Sequence, residues 1–238
     1  MVGYRSPRLE QLGVPHWFTT RVGPGGVELV LDPLAETVAA VLRQAAGADE
    51  AARLVCLRQV HGRHVVRVEA QALPEGSTGD CLVGDRPDRL LWVYAADCVP
   101  ILVASADGRH VAAIHAGWRG LVAGAIPAAL EQLGAPPAVA AIGPCLSLER
   151  CEMGDEVVAA FEGADLHAAV HRDLGPRAHV DVRAAARLQL ERAGVMSIDT
   201  SDRCTWRDES EFPSHRRDVT HGANARAGRI AALIAPKG

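Results

Sequence analysis

Between residues 53 and 115 the apolar positions fall into short runs separated by turn-forming residues. RLVCLRQV (53–60), HVVRVEA (64–70), DCLVG (80–84), LLWVYA (90–95), PILVAS (100–105) and RHVAAIH (109–115) are Val-rich and bounded by Gly, Pro and Asp, which predicts strands. After Gly120 the spacing changes. LVAGAIPAALEQLG (121–134) predicts a helix ending at Gly134, with Pro127 its weak point. AVAAIG (138–143) predicts a buried strand and GDEVVAAFEG (154–163) a short helix. The clearest helix is DVRAAARLQLERAG (181–194), with Asp181 as N-cap and Gly194 just past its end. GRIAALIA (228–235) is a strand or a helix, because periodicity alone does not separate the two.

Several strands follow one another through Asp-Gly-type turns. This predicts an α/β chain of the α+β type with mixed, largely antiparallel sheets. There is no internal repeat and no linker, so residues 1–238 are expected to form a single domain. GPGG (23–26), LPEGSTG (73–79) and GAPP (134–137) read as connectors within the fold. DESEFPSHRRDVTHGANARAG (208–228) is polar and aperiodic and reads as a long surface loop.

Composition narrows the partners. The chain is 48% hydrophobic and 23% charged with a formal net charge of −4, so it carries no bulk basic field for nucleic acid or an anionic membrane. No apolar run approaches a membrane span, and the start, MVGYRSPRLE, lacks a secretory signal. A cytoplasmic location is expected, as a monomer or weak homodimer. Thiols stay reduced there, and the six cysteines form no C-x-x-C pair, so all six are expected to be free.

One stretch raises a chemical question. AADCVPILVASADGRHVAAIHAGWRG (95–120) places a cysteine on one arm of a hairpin and a histidine on the other. With Asp107-Gly108 as the central pair of a type I′ turn, opposed residues have numbers summing to 215. Pro100 then faces His115, and Cys98 faces Gly117. Cys98 and His115 share a face as diagonal neighbours, roughly 7–8 Å apart at the backbone, from where both could reach one ion. A one-residue bulge would send them to opposite faces. His61, in LRQVHGRH (57–64), is the candidate third ligand, whereas His64 would lie on the opposite face of a continuing strand. Two imidazoles and one thiolate would leave a fourth position open, as catalytic zinc requires.

QVHG (59–62), ADCVPILV (96–103) and HAGWRG (115–120) together resemble the laccase-domain family, whose older name is multicopper polyphenol oxidoreductase. FTTR (18–21), IGPC (142–145), GDEV (154–157), RLQLERAGV (187–195) and HRRD (215–218) extend the resemblance along nearly the whole chain. It implies a layered α-β-β-α architecture with His61, Cys98 and His115 as metal ligands. It also implies zinc-dependent purine nucleoside phosphorolysis, with possible adenosine deaminase activity; purine nucleosides and phosphate would be the partners. The chain departs from the family pattern in three places. The segment after FTTR is shortened to VGPGGVELVLDPLAE, Cys-Glu-Met-Gly (151–154) replaces Tyr-Glu-Val-Gly, and Phe-Pro-Ser (212–214) replaces Phe-Phe-Ser ahead of an unusually long insertion. These changes bear on the pocket more than on the metal.

For that reaction Arg58, Arg21, Arg119 and Arg216 are candidate phosphate or ribose contacts. Deamination would need a carboxylate to move protons, and Asp80 and Asp97 are the nearest in motif context. Asp80 is taken as catalytic, while Asp97 alternates to the other face. Two rival readings stand beside this one. Copper-dependent polyphenol oxidation is disfavoured because ten histidines include no His-x-His pair. A hydrolase or deamidase with Cys98 as nucleophile and His115 as base leaves His61 unexplained.

Overall fold

The register of one hairpin decides where the cysteine and the histidine meet. The computed structural model describes residues 3–21, 36–222 and 228–238. Its early strands are β1 (Gly3–Tyr4), β2 (His16–Thr19), β3 (Arg53–Val55), β4 (Val65–Val68), β5 (Cys81–Gly84) and β6 (Arg89–Ala95). They are followed by β7 (Val99–Ser105), β8 (Val111–Ala116), β9 (Pro137–Ile142), β10 (Val170–His171), β11 (His179–Val180), β12 (Ser197–Thr200) and β13 (Ile230–Ile234). The helices are α1 (Pro7–Gln11), α2 (Glu36–Ala46), α3 (Trp118–Ala123), α4 (Ala125–Glu131), α5 (Asp155–Gly163) and α6 (Val182–Arg192).

One sheet has the order β1-β2-β13-β6-β3 and the other β12-β9-β7-β8-β5-β4, while β10 and β11 form a small ribbon. β3/β6, β4/β5 and β9/β12 are parallel and the remaining pairs antiparallel, so the sheets are mixed as expected. Alternation along the strands builds the layers. Leu91 and Val93 of β6 meet Leu102, Ala104, Val111 and Ala113 of β7 and β8 in a dry layer between the sheets. The opposite residues, Ile101, Val103, Ala112 and Ile114, pack under Leu121, Ile126, Phe161 and Leu190 of α3 to α6. On the far side Leu42, Ala45 and Ala46 of α2 cover Trp17, Trp92 and Leu233. The result is the α-β-β-α order implied by the resemblance.

The turn between β7 and β8 differs from the expected type, yet the register survives. The loop spans residues 106–109, closed by Ser105 N donating to His110 O (2.9 Å), and only Gly108 of the central pair has positive φ (72°). Asp107 stays right-handed because its carboxylate accepts from Ser105 Oγ (2.6 Å) and Arg109 N (3.0 Å). Both loop types are centred on the same pair, so Pro100 still faces His115.

Other expectations shift. The helix of 121–134 is two helices, broken at Gly124 (φ 80°). That break places Pro127 in the first turn of α4, where its missing N–H has no intrahelical partner to lose. The strand of 53–60 ends at Val55, because Gln59 turns in to bind the Tyr94 backbone: Nε2 donates to Tyr94 O (2.7 Å) and Oε1 accepts from Tyr94 N (2.8 Å). The C-terminal run is a strand, buried between β2 and β6. The segment 208–222 is anchored rather than free, with Phe212 and Ser214 fully buried and a π-helical turn over Arg216–Thr220. GPGG (23–26) and residues 223–227 lie outside the described residues. Asp181 caps α6 as expected, accepting from Ala184 N (2.9 Å), and Gly194 follows at φ 85°. All six cysteines are free. Among the described residues no helix is long and apolar enough to cross a membrane.

Candidate metal centre

His115 continues the period of Val111 and Ala113, and Cys98 that of Leu102 and Pro100, so both reach the end of the layer between the sheets. His61 joins them from the loop after β3. The three ligand atoms lie within 4.8 Å of one another. The His61 and His115 rings meet edge to face, centroids 4.9 Å apart.

Asp80 organises this meeting. Its side chain is fully buried, immediately before β5. Oδ1 accepts from His61 N (2.8 Å) and from His115 Nδ1 (2.9 Å), while Oδ2 accepts from Gly62 N (2.7 Å) and Val60 N (3.3 Å). One carboxylate therefore folds the 60–62 loop and aims a ring. With the His115 proton held on Nδ1, Nε2 is left as the donor atom, the carboxylate–histidine pairing seen at metal sites. The loop needs such a brace. His61 sits at φ 61°, a left-handed conformation costing about 1–2 kcal/mol for a non-glycine residue. Asp97, next to Cys98, is also left-handed (φ 85°), and its carboxylate accepts from Thr205 Oγ1 (2.6 Å) and Arg216 N (2.7 Å).

The electrostatics follow from this packing. Burial would raise the Asp80 carboxyl, but hydrogen bonds from His115 and from the Gly62 and His61 amides outweigh it and hold it below its ordinary value. Burial also pushes the Cys98 thiol up, yet hydrogen bonding with His115 and His61 brings it down to about 6. His115 is lowered by burial and then raised by Asp80 and Cys98 to about 9. By contrast, burial pushes Cys81 and Cys151 up to about 12. Cys98 is thus poised as a thiolate, the form that ligates metal.

Gly117 shows how tight the centre is. A Cβ there would lie 3.0 Å from Cys98 Sγ and 3.2 Å from the His61 ring. Its own φ is −74°, so glycine is required for space and not for conformation. Gly117→Ala should therefore weaken metal binding about tenfold or more by displacing two ligands. Competition with a chromogenic chelator measures this, and unchanged affinity would remove Gly117 from the account.

The three residues border a cavity of 690 Å³, within the range of small-molecule sites. Its walls include Trp118 and Arg119, Glu152 and Met153, and Arg177 and Arg216. The Arg119 guanidinium stacks 4.3 Å over the Trp118 ring. Arg216 is steadied by Nη1 donating to Arg150 O (3.0 Å) and Glu152 O (2.8 Å).

Comparison with known proteins places this geometry. A family model described as multi-copper polyphenol oxidoreductase laccase matches residues 34–237. The chain belongs to this laccase-domain family. A Deinococcus radiodurans relative named purine nucleoside phosphorylase is 40% identical, covering 95% of this chain and 91% of its own. Purine nucleoside phosphorylase YfiH of Escherichia coli K12 is 35% identical, covering 72% and 71%. Among solved structures, a DUF152 protein of Neisseria meningitidis superposes with a TM-score of 0.78 at 31% identity over 94% and 95% of the two chains. YlmD from Geobacillus stearothermophilus gives 0.75 at 28% identity over 100% and 97%.

Within this laccase-domain chain the arginines singled out by motif separate into two groups. Arg119 and Arg216 line the cavity of the metal centre. Arg58 lies instead on a second cavity of 470 Å³ beside Leu57 and Ser77, because its strand ends early and the chain turns. Arg21 is spent on Asp218 (3.5 Å) and Phe212 O (3.3 Å), bracing the 212–218 segment. Asp80 is not among the residues that line the cavity of the metal centre, and its carboxylate accepts four hydrogen bonds from the ligand loop and the His115 ring. Motif reading passed over Arg177, Glu152 and Trp118 as site residues. Trp118 stood inside HAGWRG and Glu152 inside CEMG, but nothing local marked Arg177.

Proposed function

We propose that the chain is a zinc-dependent purine nucleoside phosphorylase, converting inosine or adenosine and phosphate to free base and ribose 1-phosphate. The observation that carries this reading is the convergence of His61, Cys98 and His115 at the edge of a cavity also lined by Arg119, Arg177 and Arg216. The names of the relatives support it.

The donor set fits zinc: two imidazoles and a thiolate at ligand spacing, one ring aimed by a buried carboxylate. Zinc held there supplies a Lewis-acid position open to an oxygen of phosphate or water. Copper is the weaker choice. Met153 is on the cavity wall, but its sulfur lies 3.9 Å from Arg216 Nη2, where it serves as an acceptor. The Cys98–His115 hydrolase reading still leaves the third residue unexplained.

The chain's own groups have distinct tasks. Arg119 and Arg216 offer fixed positive charge to phosphate as it approaches C1′, and such preorganised charge stabilises the transition state without reorganisation. Asp97 fixes Arg216 at its backbone N–H and so ties the phosphate side of the cavity to the ligand next in sequence. Asp80 positions His61 and His115 and touches no substrate. Ala95, Ala96 and Leu146 give the cavity an apolar wall suited to a nucleoside.

The test is a nucleoside panel with and without phosphate, on protein of measured metal content. Base release should require phosphate and ribose 1-phosphate should accumulate. The same assay reads adenosine-to-inosine conversion, which needs only water and should persist without phosphate if deamination accompanies phosphorolysis. Base release unchanged without phosphate would make the enzyme a hydrolase. Copper-dependent oxidation of a phenol with no nucleoside turnover would overturn the proposal.

A further inference from the structure

Two acidic residues line the cavity among the described residues, Asp97 and Glu152. Asp97 is committed: one oxygen takes the Thr205 hydroxyl and the other the Arg216 amide. Glu152 is not. Among the described residues no hydrogen bond reaches its carboxylate, and its ion-pair neighbour, His179 Nε2, stands 3.9 Å from Oε1, beyond hydrogen-bond range. An ionised carboxylate offers about four acceptor positions. Among the described residues those of Glu152 are unoccupied, on a wall that also carries arginines.

The position is nevertheless built. The Glu152 backbone is pinned on three sides: its carbonyl accepts from Arg216 Nη1 (2.8 Å), it bridges His179 across the ribbon, and Met153 N donates to Ala178 O (2.9 Å). Behind it His179 is buried, and its Nδ1 has no partner. The main chain is fixed while the carboxylate remains free for a ligand.

We propose that Glu152 is the nucleoside-binding carboxylate of the site, accepting hydrogen bonds from donor groups of the nucleoside while the arginines take the phosphate. This rests on the nucleoside reading of the cavity. The chemistry divides the substrates cleanly. Phosphate at neutral pH is an anion that a carboxylate repels, whereas a purine nucleoside presents only neutral donors, the ribose hydroxyls and the N–H groups of the base. An unpaired carboxylate among arginines thus selects the neutral substrate and keeps phosphate to the arginine side.

The experiment compares wild type with Glu152→Gln and Glu152→Ala, measuring bound metal, the KM for phosphate, kcat/KM for nucleosides, and inosine binding by calorimetry. Glu152 is half exposed, and Gln keeps its shape, so the variants should fold. In Glu152→Ala, kcat/KM for inosine should fall about 10- to 100-fold, the usual effect of losing a charge-assisted hydrogen bond. Glu152→Gln, which keeps one acceptor oxygen, should fall less. Metal content should stay at the wild-type value, and the phosphate KM should not rise. Purine riboside, without an N–H on its six-membered ring, and 2′-deoxyinosine locate the donor: the analogue lacking it should show a smaller loss than inosine. If the variants tighten phosphate and leave inosine kinetics and binding unchanged, Glu152 only shapes the field of the cavity and the proposal is wrong. If the wild type binds inosine without phosphorolysis, the reaction assigned above fails, and the calorimetric comparison still decides the role of Glu152. A wild type that binds no nucleoside overturns both.

Discussion

His115→Ala should abolish stoichiometric zinc and reduce phosphorolysis to background. The ring is almost wholly buried, and its Nδ1 is committed to Asp80, so no neighbouring group can rotate in to replace Nε2. Two ligands, one of them on a loop, then remain for an ion that takes three protein ligands at catalytic sites. The same change leaves the buried Asp80 one donor short, which costs about 1–3 kcal/mol. Metal per chain after gel filtration and thermal unfolding with and without zinc read the two effects separately. Full occupancy in the variant would sink the ligand assignment. Cys98→Ser refines the test, because a neutral hydroxyl is a far poorer zinc donor than a thiolate. Metal and activity should fall together. Retained zinc with lost turnover, or a covalent substrate adduct on Cys98, would favour the hydrolase reading.

Asp80→Asn should have the second largest effect, although the residue lies outside the cavity. An amide keeps one acceptor oxygen but turns the other position into a donor. That donor must face either the His115 Nδ1–H or the amides of Gly62 and Val60, all donors themselves. If the loop yields, His61 loses the brace for its left-handed backbone; if the ring yields, His115 turns out of line. Zinc affinity should fall about 10- to 100-fold, as for other partners that orient metal ligands. Stability should fall by about 1–3 kcal/mol for a buried group left unsatisfied. Chelator competition and denaturant unfolding measure these. Unchanged zinc affinity with lost activity would instead make Asp80 a catalytic proton carrier.

Much of the centre was legible along the chain because local rules happen to reach it. Asp107-Gly108 sets the midpoint of a hairpin whatever the turn type, and strand alternation does the rest for Cys98 and His115. His61 was visible as a third donor from its motif. Asp80 was visible too, but not the way it is held. A carboxylate near a metal motif serves equally well as proton carrier or brace, and only its burial and four donors distinguish them. Arg58 and Arg21 show the same limit: a charged side chain in a motif says nothing about which cavity it enters.

By itself the sequence determined what depends on neighbours a few residues apart. That includes the strand runs, the cap at Asp181, the hairpin midpoint, the absence of a bulk basic field, and the family to which the chain belongs. Tertiary structure alone decided what depends on distant partners. GRIAALIA is a strand because β2 and β6 offer it open edges on both sides, a choice that periodicity cannot make for a wholly apolar run. The helix after Gly120 breaks at Gly124 and not at the proline, because one left-handed residue there moves Pro127 into a first turn. Glu152, Arg177 and Arg216 come from segments far apart in sequence and meet at one cavity only after the sheets have packed. The spacing of hydrophobic positions reports which face of each element is buried; it carries no information about which other element covers it.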